Sequence, residues 1–130
     1  MKNSSPLSPT QWKALLILGA EQWNQYRKDH SEDKPDLAGK DLSTENMAGF
    51  NLKNANLENA NLAMSDLTNA DLQNAHLRNA NLSRADLAGA NLKAADLTGA
   101  NFYAAYLIGA TMDPAGIIDS NLFAARRQNQ

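Results

Sequence analysis

Large apolar residues recur every five positions in this chain, without an insertion or deletion, over sixteen repeats from Leu37 to Met112. A helix advances about 100° per residue, so residues five apart wind around its axis and do not form one stripe. A β-strand turns successive side chains to opposite faces, so the same residues would be divided between both faces. The chain must therefore change direction once in every repeat.

The remaining positions of the repeat indicate a short inward-facing segment followed by a corner. Alanine usually stands two residues before the large apolar residue, and Asn or Asp stands directly before it. The two residues after it are mostly small or polar, and Asn, Asp and Gly tolerate tight turns. Each unit therefore offers one small and one large inward side chain, and a stack of such units is a solenoid.

These units resemble the pentapeptide-repeat family, whose pattern is A-(N/D)-L-x-x. Residues 60–64, 70–74 and 90–94 match the pattern directly, and the resemblance covers residues 35–114. It implies an all-β solenoid, a right-handed quadrilateral parallel β-helix with four pentapeptides per coil and about four coils. At the ~4.8 Å spacing of hydrogen-bonded strands, four coils would stand roughly 19 Å tall.

A stack of coils exposes unpaired backbone and apolar core at both ends, so it needs caps. We therefore divide the chain into an N-terminal capping helix and connector (1–34), the β-helix (35–114) and a C-terminal cap with a frayed tail (115–130). For residues 115–125 two alternatives remain open, a degenerate fifth coil or a short helix after Asp113-Pro114. Residues 126–130 are expected to fray.

A capping box of Ser8 and Gln11, with Pro9 at the first helical position, predicts one helix over residues 9–28. Its apolar stripe is expected to pack on the first coil, and we favour this packing role over a ligand-binding aromatic box. The residues expected to make these contacts are Trp12, Leu16, Trp23 and Tyr26.

Composition limits the class of protein. The chain has no cysteine, which excludes disulfides and thiolate zinc sites, and no apolar run approaches membrane-spanning length. The net charge of −2 argues against a nucleic-acid surface. We expect a cytoplasmic protein that is not at a membrane and has no cofactor and no metal.

Candidate functional residues stand where the repeat is interrupted. His76 replaces the usual Asn or Asp, and with Asp96 one coil away it could bind a metal or act as a base, although a surface substitution is the simpler reading. Lys40 and Glu45 take inward positions of the first coil, where they should meet the N-terminal helix or each other. The candidate interaction surface comprises Tyr103, Tyr106, Ile108 and His76. For the first three, the simpler alternative is that the C-terminal segment folds over them, and the functional one is a patch for a partner or for self-association.

The favoured function is a non-catalytic structural or protein-interaction module, because the sequence holds no nucleophile–base pair, phosphate loop or metal spacing. Its partner is expected to be a protein, and the chain itself a monomer or a weak dimer through one end. The alternative is a DNA-mimicking inhibitor of a type II topoisomerase, as the family resemblance allows. About 19 Å of B-DNA carries roughly 11 charges. Residues 36–113 carry nine acidic and five basic side chains, a net −4 that disfavours mimicry.

Overall fold

The computed structural model describes residues 6–127, so the first five residues and the part of the expected frayed tail at 128–130 lie outside the described chain. It contains helices α1 (Pro9–Ile17) and α2 (Ala20–Asp29), strands β1 (Asn91–Leu92) and β2 (Thr111–Met112), and helix α3 (Pro114–Asp119). Strands β1 and β2 pair in parallel, with Asn91 opposite Thr111. No helix among the described residues is long and apolar enough to cross a membrane.

Parallel bridges join residues that are twenty positions apart, from Asp36 with Asn56 to Tyr106 with Arg126. Each coil therefore takes twenty residues and has four sides, one for each repeat. We number the coils from the N-terminus as 35–54, 55–74, 75–94 and 95–114. The sides are named by the first coil: side 1 holds Leu37, side 2 Leu42, side 3 Met47 and side 4 Leu52.

The core follows from the repeat. The fifteen central residues from Leu37 to Leu107 are all at most 3% exposed, and most of the alanines two residues before them are buried as well. Backbone hydrogen bonds run along the stack: Leu57 N–H donates to His76 O at 2.7 Å, and Asn56 N–H donates to Pro35 O at 2.7 Å. The ladder leaves two N–H groups of each repeat to be satisfied locally; one of them bonds to the central residue, as Ser65 N–H does to Leu62 O at 3.2 Å.

The Asn or Asp of each repeat has a structural role. Its Oδ1 accepts a hydrogen bond from the backbone N–H two residues on, as between Asn61 and Ala63 at 3.1 Å. The corner residue that ends each repeat adopts a positive φ, as at Asn59 (60°) and Asn79 (59°). This backbone region is costly for most side chains and tolerable for Asn and Gly. The polar positions therefore shape the corners while the leucines fill the core.

The N-terminal segment forms two helices where we predicted one. The capping box is present, since Gln11 N–H donates to Ser8 Oγ at 3.2 Å and Ser8 N–H donates to Gln11 Oε1 at 2.8 Å. The break falls at Gly19, whose φ of 105° is open to glycine. In one straight helix Trp12 and Trp23 would lie about 16 Å apart. The break folds α2 back, and their ring centroids lie 5.4 Å apart.

Both alternatives for residues 115–125 occur in sequence. Helix α3 follows Asp113, and then Asn121 bridges Asn101 and restarts the ladder. Gly116 is buried in α3, and a Cβ atom on it would lie 2.7 Å from Leu97 Cδ1. The absence of a side chain at Gly116 therefore lets α3 settle directly on the core of side 1.

Candidate functional site

Side chains of α2 take the place of a missing coil beneath side 4. Trp23 Nε1 donates to Asn51 O at 2.8 Å, and Asn24 Nδ2 donates to Gly49 O at 2.9 Å. Asn24 Oδ1 in turn accepts from Asn51 N–H at 2.8 Å. The two bonds to Asn51 satisfy backbone groups that the higher coils satisfy with the coil below, as Asp71 does with Phe50 and Leu52.

Arg27 completes this arrangement, although it is not among the residues predicted from the sequence. The side chain is 1% exposed and donates three hydrogen bonds to carbonyl oxygens, from Nε to Asn51 at 3.3 Å, from Nη1 to Asp33 at 2.6 Å and from Nη2 to Lys53 at 2.7 Å. Burial lowers the pKa of Arg27, while the charges of Asp33 and Asp71 act in the opposite direction. Its position four residues after Trp23, on the same helix face, is the signal that could have revealed it.

The four residues predicted to contact the first coil lie in one aromatic cluster. Trp12, Leu16 and Trp23 are buried and Tyr26 is half-buried. Trp23 stacks on Phe50 of the first coil at 5.3 Å, and Trp12 meets the Tyr26 ring edge-on at 5.6 Å. Burial, and secondarily the charge of Asp33, raises the pKa of Tyr26. The rings of this cluster therefore contact one another and the first coil.

The upper part of sides 2 and 3 carries an aromatic and cationic surface. The Tyr103 ring stacks on Phe123 at 5.8 Å and lies 5.2 Å from the Arg84 guanidinium carbon. Around the corner, the guanidinium carbon of Arg126 lies 5.7 Å from the centre of the Tyr106 ring. Tyr106 is 38% exposed and Phe123 is 72% exposed. We call this the upper aromatic surface; its members are Tyr103, Tyr106, Ile108, Phe123, Arg84 and Arg126.

Three of the four predicted surface residues thus lie on adjacent sides, and the fourth does not join them. Tyr103 is on side 2, while Tyr106 and Ile108 are on side 3. Phe123 was expected to cover the last coil and was not predicted as part of this surface, because the sequence left its segment open between a coil and a helix. Its five-residue offset from Ile118, and its twenty-residue offset from Tyr103, are the signals that place it over Tyr103.

His76 lies on side 1 in a column with Asn56 and Asp96. It is exposed and borders a shallow hollow of about 330 Å³, together with Asp36 and Glu58. Asp96 accepts from Arg78 at 3.3 Å in an exposed ion pair, which contributes little to stability. Within residues 6–127, no group of three or more His, Asp or Glu side chains could hold a metal ion.

Two carboxylates of the repeat have lowered pKa values, and the cause is the corner itself. For Asp96, the main cause is the hydrogen bond that Thr98 Oγ1 donates at 2.7 Å, followed by the Thr98 N–H bond. For Asp41, the Ser43 hydroxyl and then its N–H act in the same way. Both shifts favour an ionised carboxylate in the corner. The lowered pKa values of Asp41 and Asp96 are therefore explained by the hydrogen bonds that form the turn.

Comparisons with known proteins agree with this geometry. The family model described as pentapeptide repeats matches residues 46–74, 65–102 and 75–113, in eight copies. No protein with a curated description matches the chain. Among solved structures, a pentapeptide-repeat protein of the Arabidopsis thaliana thylakoid lumen is 33% identical with a TM-score of 0.59, covering 69% of this chain and 59% of its own.

Two cyanobacterial structures are similar to the chain as well. Rfr23 of Cyanothece 51142 is 35% identical with a TM-score of 0.60, covering 73% of this chain and 61% of its own. HetL of Nostoc sp. strain PCC 7120, a protein involved in regulating heterocyst differentiation, is 31% identical with a TM-score of 0.58, covering 70% of this chain and 42% of its own. The chain therefore spans about three fifths of the first two relatives and less of HetL.

The matched segments together reach from residue 46 to residue 113, which is more than half of the 130 residues. Three solved pentapeptide-repeat proteins share the fold at 31–35% identity. Proteins of this kind form right-handed β-helices, in agreement with the twenty-residue coil described above. The chain therefore belongs to the pentapeptide-repeat family.

Proposed function

We propose that this chain is a non-catalytic protein-interaction module and that the upper aromatic surface contacts the partner. Pentapeptide-repeat proteins are generally structural or interaction modules. The observation that carries the proposal is the exposure of Tyr106 (38%) and Phe123 (72%) at positions where other repeats place small or polar residues. Large apolar side chains held in water cost free energy unless a partner covers them.

The chemistry of this surface favours a protein as the partner. Tyr, Phe and Arg are enriched at protein interfaces, and they supply much of the binding free energy there. Tyr103 and Tyr106 stand on a hydrogen-bonded coil, so little conformational freedom is lost when they bind. Arg84 and Arg126 lie against the tyrosine rings, and the exposed Arg84 can reach acceptors on a partner.

The same proposal includes the two ends of the solenoid and the number of its coils. We take α1 and α2 as the cap of a solenoid of about four coils, with α3 and the bridge at Asn121 closing part of the other end. The chain then acts as a rigid post, a monomer or a weak dimer through one end, in the cytoplasm. The net −4 of residues 36–113, with Arg84 and Arg126 on the upper surface, favours this role over DNA mimicry.

Affinity capture from an extract of the source cell tests the proposal, with wild-type protein and the Tyr106→Asn variant as baits. Asn is the usual residue at this position of the repeat, so the variant keeps the corner and removes the ring. We expect at least one protein to bind wild type and to be lost with Tyr106→Asn. Identical sets of captured proteins from the two baits would refute the proposal.

A further inference from the structure

At the base of the first coil, backbone groups of side 4 are hydrogen-bonded to side chains of α2, whereas the corresponding groups of side 3 have no partner among residues 6–127. In the second coil, Asp66 N–H donates to Glu45 O, and Asp66 O accepts from Met47 N–H. Thr68 O accepts from Gly49 N–H in the same direction, so all three groups of this side point towards the base. By the regular stacking of the ladder, the N–H and C=O of Asn46 and the C=O of Ala48 point out of the base.

The same three kinds of group are satisfied beneath side 4. There Asn51 N–H, Asn51 O and Lys53 O all bond to side chains of α2. Among residues 6–127, no hydrogen bond reaches Asn46 N–H, Asn46 O or Ala48 O. Side 3 of the first coil therefore presents a short strand edge with one donor and two acceptors available.

A cavity lies directly beside this edge. It encloses about 350 Å³ between Leu16 and Ile17 of α1, Phe50, and the strand of Glu45, Asn46 and Ala48. Ile17 and its neighbour Leu18 are 66% and 63% exposed. The one charged residue that lines the cavity is Glu45, and Glu21 follows directly on Ala20, another lining residue.

We propose that an extended peptide segment of a partner protein adds as one further strand beneath side 3. Its backbone bonds to Asn46 and Ala48, a large aliphatic side chain enters the cavity, and a neighbouring Lys or Arg meets Glu45. Strand addition takes its affinity from the main-chain bonds and its specificity from side-chain pockets, and this edge offers both. The negative charge of Glu45 selects a basic segment over an acidic one.

This site lies at the opposite end of the solenoid from the upper aromatic surface. A negative result at this site would therefore leave the proposed function unaffected, and the Tyr106→Asn variant distinguishes binding at the two surfaces. A variant that loses the upper surface keeps the base edge and its cavity.

A phage-displayed library of random heptapeptides, selected on the full chain, provides the probe. We expect the enriched peptides to share a large aliphatic residue close to a Lys or Arg. Fluorescence anisotropy then compares their affinities for wild type, Glu45→Lys and Asn46→Pro. Glu45→Lys reverses the charge, and Asn46→Pro removes an N–H that no coil uses. Each should weaken binding by about tenfold or more.

Glu58→Lys is the matched control, since it reverses the same kind of charge on the next coil, on side 1. It should leave the affinity unchanged, as should Tyr106→Asn. Thermal unfolding checks that the variants are folded. If Asn46→Pro is unfolded, the affinity of Glu45→Lys alone tests the proposal. Equal affinity for wild type and Glu45→Lys, or no enriched peptide, overturns the proposal. So does light scattering that shows wild type self-associating and Glu45→Lys monomeric, because the occupant would then be a second copy.

Discussion

Neighbouring residues of the repeat differ in burial and in backbone conformation, so substitutions at them should differ in their effect on stability. Leu77 is fully buried in the third coil, whereas Asn79 stands two residues later at an exposed corner with φ of 59°. We expect Leu77→Ala to lower the free energy of unfolding by ~2–5 kcal/mol, through lost transfer free energy and a new cavity. Asn79→Ala should cost about 1 kcal/mol, from the positive φ. Thermal or urea unfolding measures both, and equal losses would contradict the inward and outward assignment.

His76 marks a corner without the usual side-chain acceptor. At Asn61, Asp86 and other corners, Oδ1 accepts the N–H two residues on, whereas in the described part of the chain the His76 ring accepts no bond from Arg78 N–H. We therefore expect His76→Asn to raise the free energy of unfolding by roughly 0.5–1.5 kcal/mol, the value of one such hydrogen bond. A loss of stability in urea unfolding would show instead that His76 makes contacts that stabilise the folded state.

The lowered pKa values of Asp41 and Asp96 predict how stability depends on pH. Because the folded state holds each pKa below 3.8, their contribution is present above that pH and is lost as the pH falls through the folded value. In the Asp41→Asn, Asp96→Asn double variant, Oδ1 remains an acceptor but no longer titrates. Its melting temperature should fall less than that of wild type between about pH 5 and about pH 2.5. Asp86→Asn, at a corner with Ala88 in place of a hydroxyl residue, is the control; an identical fall in the double variant and wild type would contradict the account.

At the scale of the element, the N-terminal helices depend on polar bonds as much as on their aromatic stripe. Arg27 reaches three carbonyl oxygens, two of them on the first coil. Arg27→Met fills similar space but leaves the oxygens of Asp33 and Lys53 unpaired, while Asn51 O keeps its bond from Trp23, so we expect a loss of roughly 2–5 kcal/mol. Lys28→Met, one residue away on the exposed side of α2, should have almost no effect in the same unfolding experiment. Similar losses in both would contradict the contact pattern.

The elements also show how far the sequence could lead. Tandem repeats without a gap predict the coil, since one register accounts for every buried leucine from Leu37 to Leu107. The capping box predicts the start of α1, but the turn at Gly19 depends on Trp12 and Trp23 meeting over the first coil, which a local pattern does not encode. Arg27 was missed for a related reason: a charged residue in a last helical turn usually faces water, and only the open carbonyl groups of the first coil explain its burial.

At the level of the whole molecule, the regular repeats form a rigid solenoid, and the candidate binding residues lie where the repeat pattern is interrupted. The upper aromatic surface could be predicted in part, because Tyr103, Tyr106 and Ile108 break the repeat in the sequence. Its stacking partner Phe123 could not, because α3 shifts the chain before the ladder resumes at Asn121. The upper end and the base edge at Asn46 are therefore separate surfaces on one rigid frame.

Site-specific photo-crosslinking can show whether a partner protein binds at the upper aromatic surface. The photoreactive aromatic residue p-benzoylphenylalanine is placed at Tyr106 and, in a second protein, at Asp66, which lies in the same column of side 3 two coils lower. Both proteins are irradiated in the source cell. We expect covalent protein adducts from position 106 that are absent from position 66. The same adducts from both positions, or none from position 106, would contradict it.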